Sequence, residues 1–145
     1  MDKVLYDYCL SFLGKPYIWG GDDPIIGYDC SGLVQEILHS VGALDTNDDL
    51  TAQGLYDYFE HKAPHMIGCQ FGALVFYGES VLKITHVAFG LDAYRIIEAG
   101  GGGRSNINPS DAAANNAFVR IRPVGRRVDK VAVLKPQYVE IGMMR

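Results

Sequence analysis

The chain has 145 residues, 48% hydrophobic and 21% charged, with a formal net charge of −4. That length suits one domain, residues 1–145, and is enough to bury a core without disulfides or a structural metal. The acidic balance, with no long basic run, argues against a nucleic-acid surface driven by phosphate contacts and leaves room only for a local basic patch, and no apolar stretch approaches the length of a membrane span.

The first predicted element is a helix from Asp2 to Leu13, where Val4, Leu5, Tyr8, Cys9 and Phe12 recur at helical spacing until Gly14 and Pro16 stop it. Cys9 lies on that apolar face and is read as core. "KPYIWGGDDPIIGYDC", Lys15 to Cys30, is dense in glycine, proline and aromatics, so its turns set its shape. A second helix is predicted from Cys30 to Val41, capped by Asp29, with Leu33, Val34, Ile37, Leu38 and Val41 inward and Gly42 ending it. Thr51 caps a short third helix whose inward residues are Leu55, Tyr58 and Phe59. From Phe71 onward the pattern changes to strands: "ALVFYG", "THVAFGL", "YRIIEAG" and "FVRIRPV". "GGGRSNINPSDAAANN" is loop-like with one helical turn, and "VAVLKPQYVEIGMM" adds a last strand. Helices first and strands after give an α+β fold, with N-terminal helices packed on one side of an antiparallel sheet of about five or six strands.

Two basic or glycine-rich stretches read as structure. "GRRVDK", Gly125 to Lys130, is a solvated turn. Gly100 to Gly103 lacks the Lys-Ser/Thr of a phosphate-binding loop and reads as a flexible loop beside the active face. Cys9, Cys30 and Cys69 form no CxxC pair and leave one over, so no disulfide framework is expected. The four histidines show no HExxH and no ligand spacing with cysteine, so neither a metal nor an organic cofactor is expected. "MDKVLYDYCL" carries no apolar signal-peptide core, so the chain as given is expected to be made in the cytoplasm and to stay there unless carried out.

Cys30 is the residue that calls for chemistry. At the first turn of a helix it meets the positive end of the dipole and unpaired backbone N–H groups, which favour thiolate over thiol. Asp29 next door opposes a second anion, so a base is needed. His39, His61 and His65 read as solvated or structurally satisfied histidines. His86 differs: it opens the strand "THVAFG" and shares a face with Ala88 and Gly90, which suits a neighbouring element or substrate better than a core. A hairpin centred on Asp92 and Ala93 with a three-residue loop pairs 87 with 97 and 86 with 98. Glu98 then orients one imidazole nitrogen and leaves the other for Cys30.

These residues match a known pattern. "GKPYIWGGDDPIIGYDCSGLVQEIL", Gly14 to Leu38, resembles the signature of the NlpC family of papain-like cell-wall cysteine peptidases, and "GALVFYG" and "THVAFGL" resemble its core strands. The similarity runs from about Lys3 to Ile121. The resemblance implies hydrolysis of amide bonds in peptidoglycan stem peptides, often beside a D-glutamyl residue, through a thioester. Cys30 would be the nucleophile, His86 the base and Glu98 the orienting group, where the family usually has histidine. Tyr17 would polarise the substrate carbonyl, and Asp29 and Ser31 would contact the stem peptide. Ala73 departs from the family's Gly-Asp strand start, and "DDLTAQGL" only faintly follows its Arg-Thr-Ser-x-x-Gln segment. A wall substrate and a chain without a signal are reconciled by a phage-tail component with tail proteins as partners, the favoured reading, or by holin-aided lysis, an effector delivered by a secretion machine, or intracellular recycling of wall peptides. The rival readings are a non-catalytic tail or assembly protein of the same fold, and a related thiol amidase or acyltransferase.

Overall fold

A computed structural model describes residues 3–18, 20–23, 27–45, 47–100 and 108–138. The first helix, α1 (Lys3–Leu10), is shorter than its apolar pattern predicts. Leu5, Cys9 and Phe12 form a narrow buried stripe at i, i+4 and i+7, whereas Val4 lies beside it and is 60% exposed. The aromatic loop that follows holds a small antiparallel ribbon, β1 (Asp22–Asp23) with β2 (Gly27–Tyr28), which the sequence did not signal.

Helix α2 (Cys30–Ser40) starts where predicted, with Asp29 as N-cap. Leu33, Val34, Ile37 and Leu38 are fully buried; Val41 is the C-cap and only half-buried. Gly42 then adopts the left-handed conformation that ends many helices. In α3 (Ala52–Phe59) the Thr51 hydroxyl accepts the Gly54 N–H, as predicted for a cap. Its inward residues are Ala52, Leu55, Tyr56 and Phe59. Tyr58, expected in the core, lies on the helix flank, where its hydroxyl donates to Asp45.

The strands are β3 (Leu74–Ser80), β4 (Lys83–Gly90) and β5 (Arg95–Gly100). The short helix α4 (Pro109–Ala114), capped by Asn108, precedes β6 (Phe118–Pro123), and β7 (Lys130–Leu134) follows. They form one five-stranded sheet in the order β6-β5-β4-β3-β7, with every neighbouring pair antiparallel. The larger apolar cluster lies on the helical side, where Leu33, Ile37 and Leu55 meet Phe76, Val87, Phe89 and Ile97. A second, smaller cluster of Cys69, Ala73, Val75, Tyr77, Ala88, Ile96 and Val133 covers the other face. The face of His86, Ala88 and Gly90 therefore does pack a core, contrary to expectation. It also receives a neighbouring segment: a Cβ on Gly90 would come 2.7 Å from the Cys69 sulfur and 2.4 Å from the Gln70 carbonyl.

Two irregularities in the ladders prepare the site. Between β3 and β4 the register runs Tyr77↔His86, then Gly78↔Ile84, so Thr85 is an extra residue. Such a bulge twists a strand and re-aims its neighbours. Between β4 and β5 the ladder consists of two pairs, Phe89↔Ile97 and Gly90↔Ile96, whereas β5 and β6 stay paired over six. The strands thus part on the His86 side, and α2 packs on both of them.

Candidate active site

Cys30 is the first residue of α2, half-buried, with its sulfur reduced. Its position is set by the turn before it. The Asp29 carboxylate accepts the Gly32 N–H at 2.6 Å and the Ser31 hydroxyl at 3.3 Å, fixing the first helical turn. The preceding loop presses directly on that turn. A Cβ on Gly32 would lie 2.1 Å from the Gly21 carbonyl, so no larger residue fits where the two backbones meet. Burial raises the Asp29 pKa, and the bonds from Gly32 and Ser31 oppose that rise.

His86 and Glu98 form the second half of the site. The imidazole Nε2 lies 2.7 Å from Glu98 Oε1, and both side chains are almost wholly buried, at 6% and 2% exposure. The hairpin register differs from the expected one. Leu91 bonds to Arg95 across a loop of Asp92, Ala93 and Tyr94, and Phe89 rather than Val87 faces Ile97. The Asp92 carboxylate sets this turn by accepting the N–H groups of Tyr94 and Arg95, both at 2.8 Å. The register shift is two residues. An even shift keeps every side chain on its face, so Glu98 reaches His86 diagonally rather than from directly opposite, and the expected pair survives.

With Nε2 engaged by Glu98, the other ring nitrogen is left for Cys30, whose interaction with the imidazole favours the charged ring. Burial alone would lower the His86 pKa, but the bonds to Cys30 and Glu98 overcome it and raise it to about 9. Burial likewise works against the Glu98 carboxylate, yet His86 and Arg126 together hold it below its ordinary pKa. The ring of Tyr77 lies against His86, with centroids 5.6 Å apart. The imidazole therefore interacts with both the sulfur and the carboxylate, the partnership required for an activated thiol nucleophile.

Beside the sulfur is an open cleft of about 290 Å³, lined by Tyr17, Asp29, Cys30, Ser31, Asp49 and Thr85 among others. Burial and the neighbouring Cys30 and Asp29 raise the Tyr17 pKa strongly, so its hydroxyl stays protonated and can donate. All six residues expected at the site are thus brought to one place. The far wall of the cleft was not foreseen. Gln35, buried inside α2, donates to the Leu50 carbonyl at 2.8 Å, accepts the Leu50 N–H at 2.7 Å and donates to Asp49 at 3.2 Å, tying the 49–51 segment to the helix. Arg126, read from sequence as part of a solvated turn, reaches Glu98 Oε2 at 3.2 Å. Nothing local marks Arg126 for this role, because its partner lies 28 residues earlier on another element. The Gly100–Gly103 loop expected beside this face lies, after Gly100, outside the described residues.

Comparison with known proteins converges on one family. The NlpC/P60 family profile matches residues 14–122. The probable endopeptidase YafL of Escherichia coli is 46% identical over 46 residues, a match covering 32% of this chain and 18% of that protein. Among solved structures, the NlpC/p60 domain of the peptidoglycan hydrolase SagA superposes with a TM-score of 0.67 at 22% identity, covering 92% of this chain and 97% of that one. The peptidoglycan hydrolase RipB of Mycobacterium tuberculosis gives a TM-score of 0.64 at 24% identity, covering 94% and 67%. The match thus spans less than a fifth of YafL, while the fold agrees over nearly the whole chain. With the profile running from the aromatic loop through Cys30, His86 and Glu98 to the end of β6, the chain belongs to the NlpC/P60 family.

Proposed function

We propose that this protein is a cysteine peptidase that hydrolyses amide bonds in peptidoglycan stem peptides, beside a D-glutamyl residue, through a thioester intermediate. The observation that carries the reading is Cys30 at an open cleft, interacting with a buried His86 that is bonded in turn to Glu98. Kinship with a probable endopeptidase and with a murein DD-endopeptidase, both of Escherichia coli, supports the substrate class.

In this mechanism the Cys30 thiolate attacks the amide carbonyl. The oxyanion is held by the Cys30 backbone N–H, in the first helical turn where donors lack intrahelical acceptors, and by the Tyr17 hydroxyl. The His86 imidazolium, kept protonated by Glu98, gives its proton to the leaving amine as the C–N bond breaks and the thioester remains. Water, deprotonated by His86, then attacks the thioester, releasing the acid and restoring the thiolate–imidazolium pair. Asp29 and Ser31, already bonded to each other beside the sulfur, contact the polar groups of the stem peptide.

The test is digestion of purified muropeptides, with the fragments weighed by mass spectrometry. A cut within the stem supports the reading, whereas a cut between sugar and peptide, or a transferred acyl group, replaces it. Cys30→Ala should abolish turnover with little change in thermal midpoint; full activity in that variant would end the proposal. Delivery to the wall as a phage-tail component belongs to the same reading, and immunodetection of the chain in purified virions tests it.

A further inference from the structure

Glu98 is a buried carboxylate bonded to His86, and its surroundings show how a charge is kept there. Each of its oxygens has its own partner: Oε1 faces His86 at 2.7 Å and Oε2 faces Arg126 at 3.2 Å. A carboxylate exposed to only 2% is costly without paired charge. Arg122, Arg127 and Tyr77 also act on Glu98, while Asp129, Tyr77 and Cys30 act on His86. Arg127 is engaged by Asp129, at 2.9 and 2.6 Å, and lies over the Tyr77 ring. Among the described residues, Arg126 is the guanidinium bonded to Glu98.

The segment that carries Arg126 is anchored rather than loose. Val124–Arg126 forms one 3₁₀ turn after β6. The Tyr77 hydroxyl donates to the Val124 carbonyl at 2.9 Å, and the Val124 N–H donates to Tyr94 at 2.8 Å. Beyond the turn, the Gly78 N–H donates to Asp129 at 2.9 Å. Tyr77 therefore does two things: its ring packs on His86 and its hydroxyl fixes the turn that delivers Arg126.

We infer that Arg126 is a positioning residue, whose guanidinium keeps the Glu98 carboxylate ionised and aimed at His86 so that a glutamate serves as the orienting group. The inference rests on the proposed roles of Cys30, His86 and Glu98. Arg126 is not among the residues lining the cleft, and its hydrogen bond is to Glu98.

The experiment compares the full chain with Arg126→Gln and Arg126→Lys. On the substrate-free protein, the Glu98 carboxyl carbon is titrated by NMR and Cys30 alkylation by iodoacetamide is timed. In Arg126→Gln the Glu98 midpoint should rise by about one pH unit or more, and alkylation near neutral pH should slow on the order of tenfold. Arg126→Lys should restore most of both. With muropeptide, Arg126→Gln should lower kcat and leave KM nearly unchanged, with the thermal midpoint within a few degrees of wild type. An unmoved Glu98 titration, or a moved titration with unchanged alkylation, would overturn the inference. If the wild type fails to cut muropeptide, the substrate reading falls, while the titration and alkylation still decide the role of Arg126.

Discussion

His86 is a buried imidazole whose charge is favoured by what surrounds it, and that has a consequence for stability. Its pKa is raised from 6.5 to about 9, burial opposing the shift and the bonds to Cys30 and Glu98 producing it. A group that binds its proton more tightly when folded adds stability below its unfolded pKa, and the contribution disappears as pH rises through the folded value. The stabilisation from His86 should thus be complete below about pH 6.5 and gone above about pH 9. Glu98 behaves in the opposite sense. Its carboxyl is held low by His86 and Arg126, so its contribution is present at neutral pH and lost on acidification through the folded pKa. Urea unfolding of the wild type and of His86→Gln between pH 6 and 10 checks the first point. The stability gap between them should narrow across pH 6.5 to 9, and a gap constant over that range would mean that the imidazole is not held charged.

At the scale of elements, the nucleophile depends on the meeting of a loop and a helix. The aromatic loop and the first turn of α2 touch backbone to backbone, through Gly21 and Gly32, and the Asp29 cap is part of that contact. This part of the site was legible in the sequence, because the cap, the helix start and the loop's glycines all lie within a few residues of Cys30. The other half was legible only in part. Two β-rich runs around Asp92 announce a hairpin, and the side-chain period of two gives the face of His86 and Glu98. The turn closes one residue later than expected, since the Asp92 carboxylate caps the N–H groups of Tyr94 and Arg95. Gly32→Ala would place a methyl 2.1 Å from the Gly21 carbonyl and 2.8 Å from the Asp29 carboxylate. That overpacking should cost about 1–3 kcal/mol and should depress turnover by shifting the turn that holds Cys30. Gly68→Ala, where an added Cβ meets nothing within 4 Å, is the control and should change neither. Thermal unfolding and muropeptide turnover of both variants give the comparison; equal behaviour of the two would show that the loop yields freely and does not position the sulfur.

Over the whole molecule, the sheet is a shared wall between two apolar clusters, the larger under the helices and the smaller on the opposite face. The order of helices before strands announced the first cluster. The second was hidden because its members come from the loop at Cys69, from alternate positions on β3, β4 and β5, and from β7, a set that only the strand order assembles. The three thiols sample these regions separately. Cys9 lies in the helical cluster and Cys69 in the other, whereas Cys30 borders the cleft. Burial pushes the Cys9 thiol up to about 12 and the Cys69 thiol up to about 11, so neither supplies thiolate while its cluster stays closed. Because both clusters draw on β3, β4, β5 and β7, they should open together in one cooperative transition. Iodoacetamide should therefore modify Cys30 rapidly in the native protein, with Cys9 and Cys69 reacting only through unfolding. As urea is raised toward the midpoint, the labelling of Cys9 and Cys69 should rise in parallel and follow the loss of secondary structure. Labelling of Cys69 well before Cys9 would separate the two faces into independent units, and rapid native labelling of Cys9 would contradict the packing of α1 on the core.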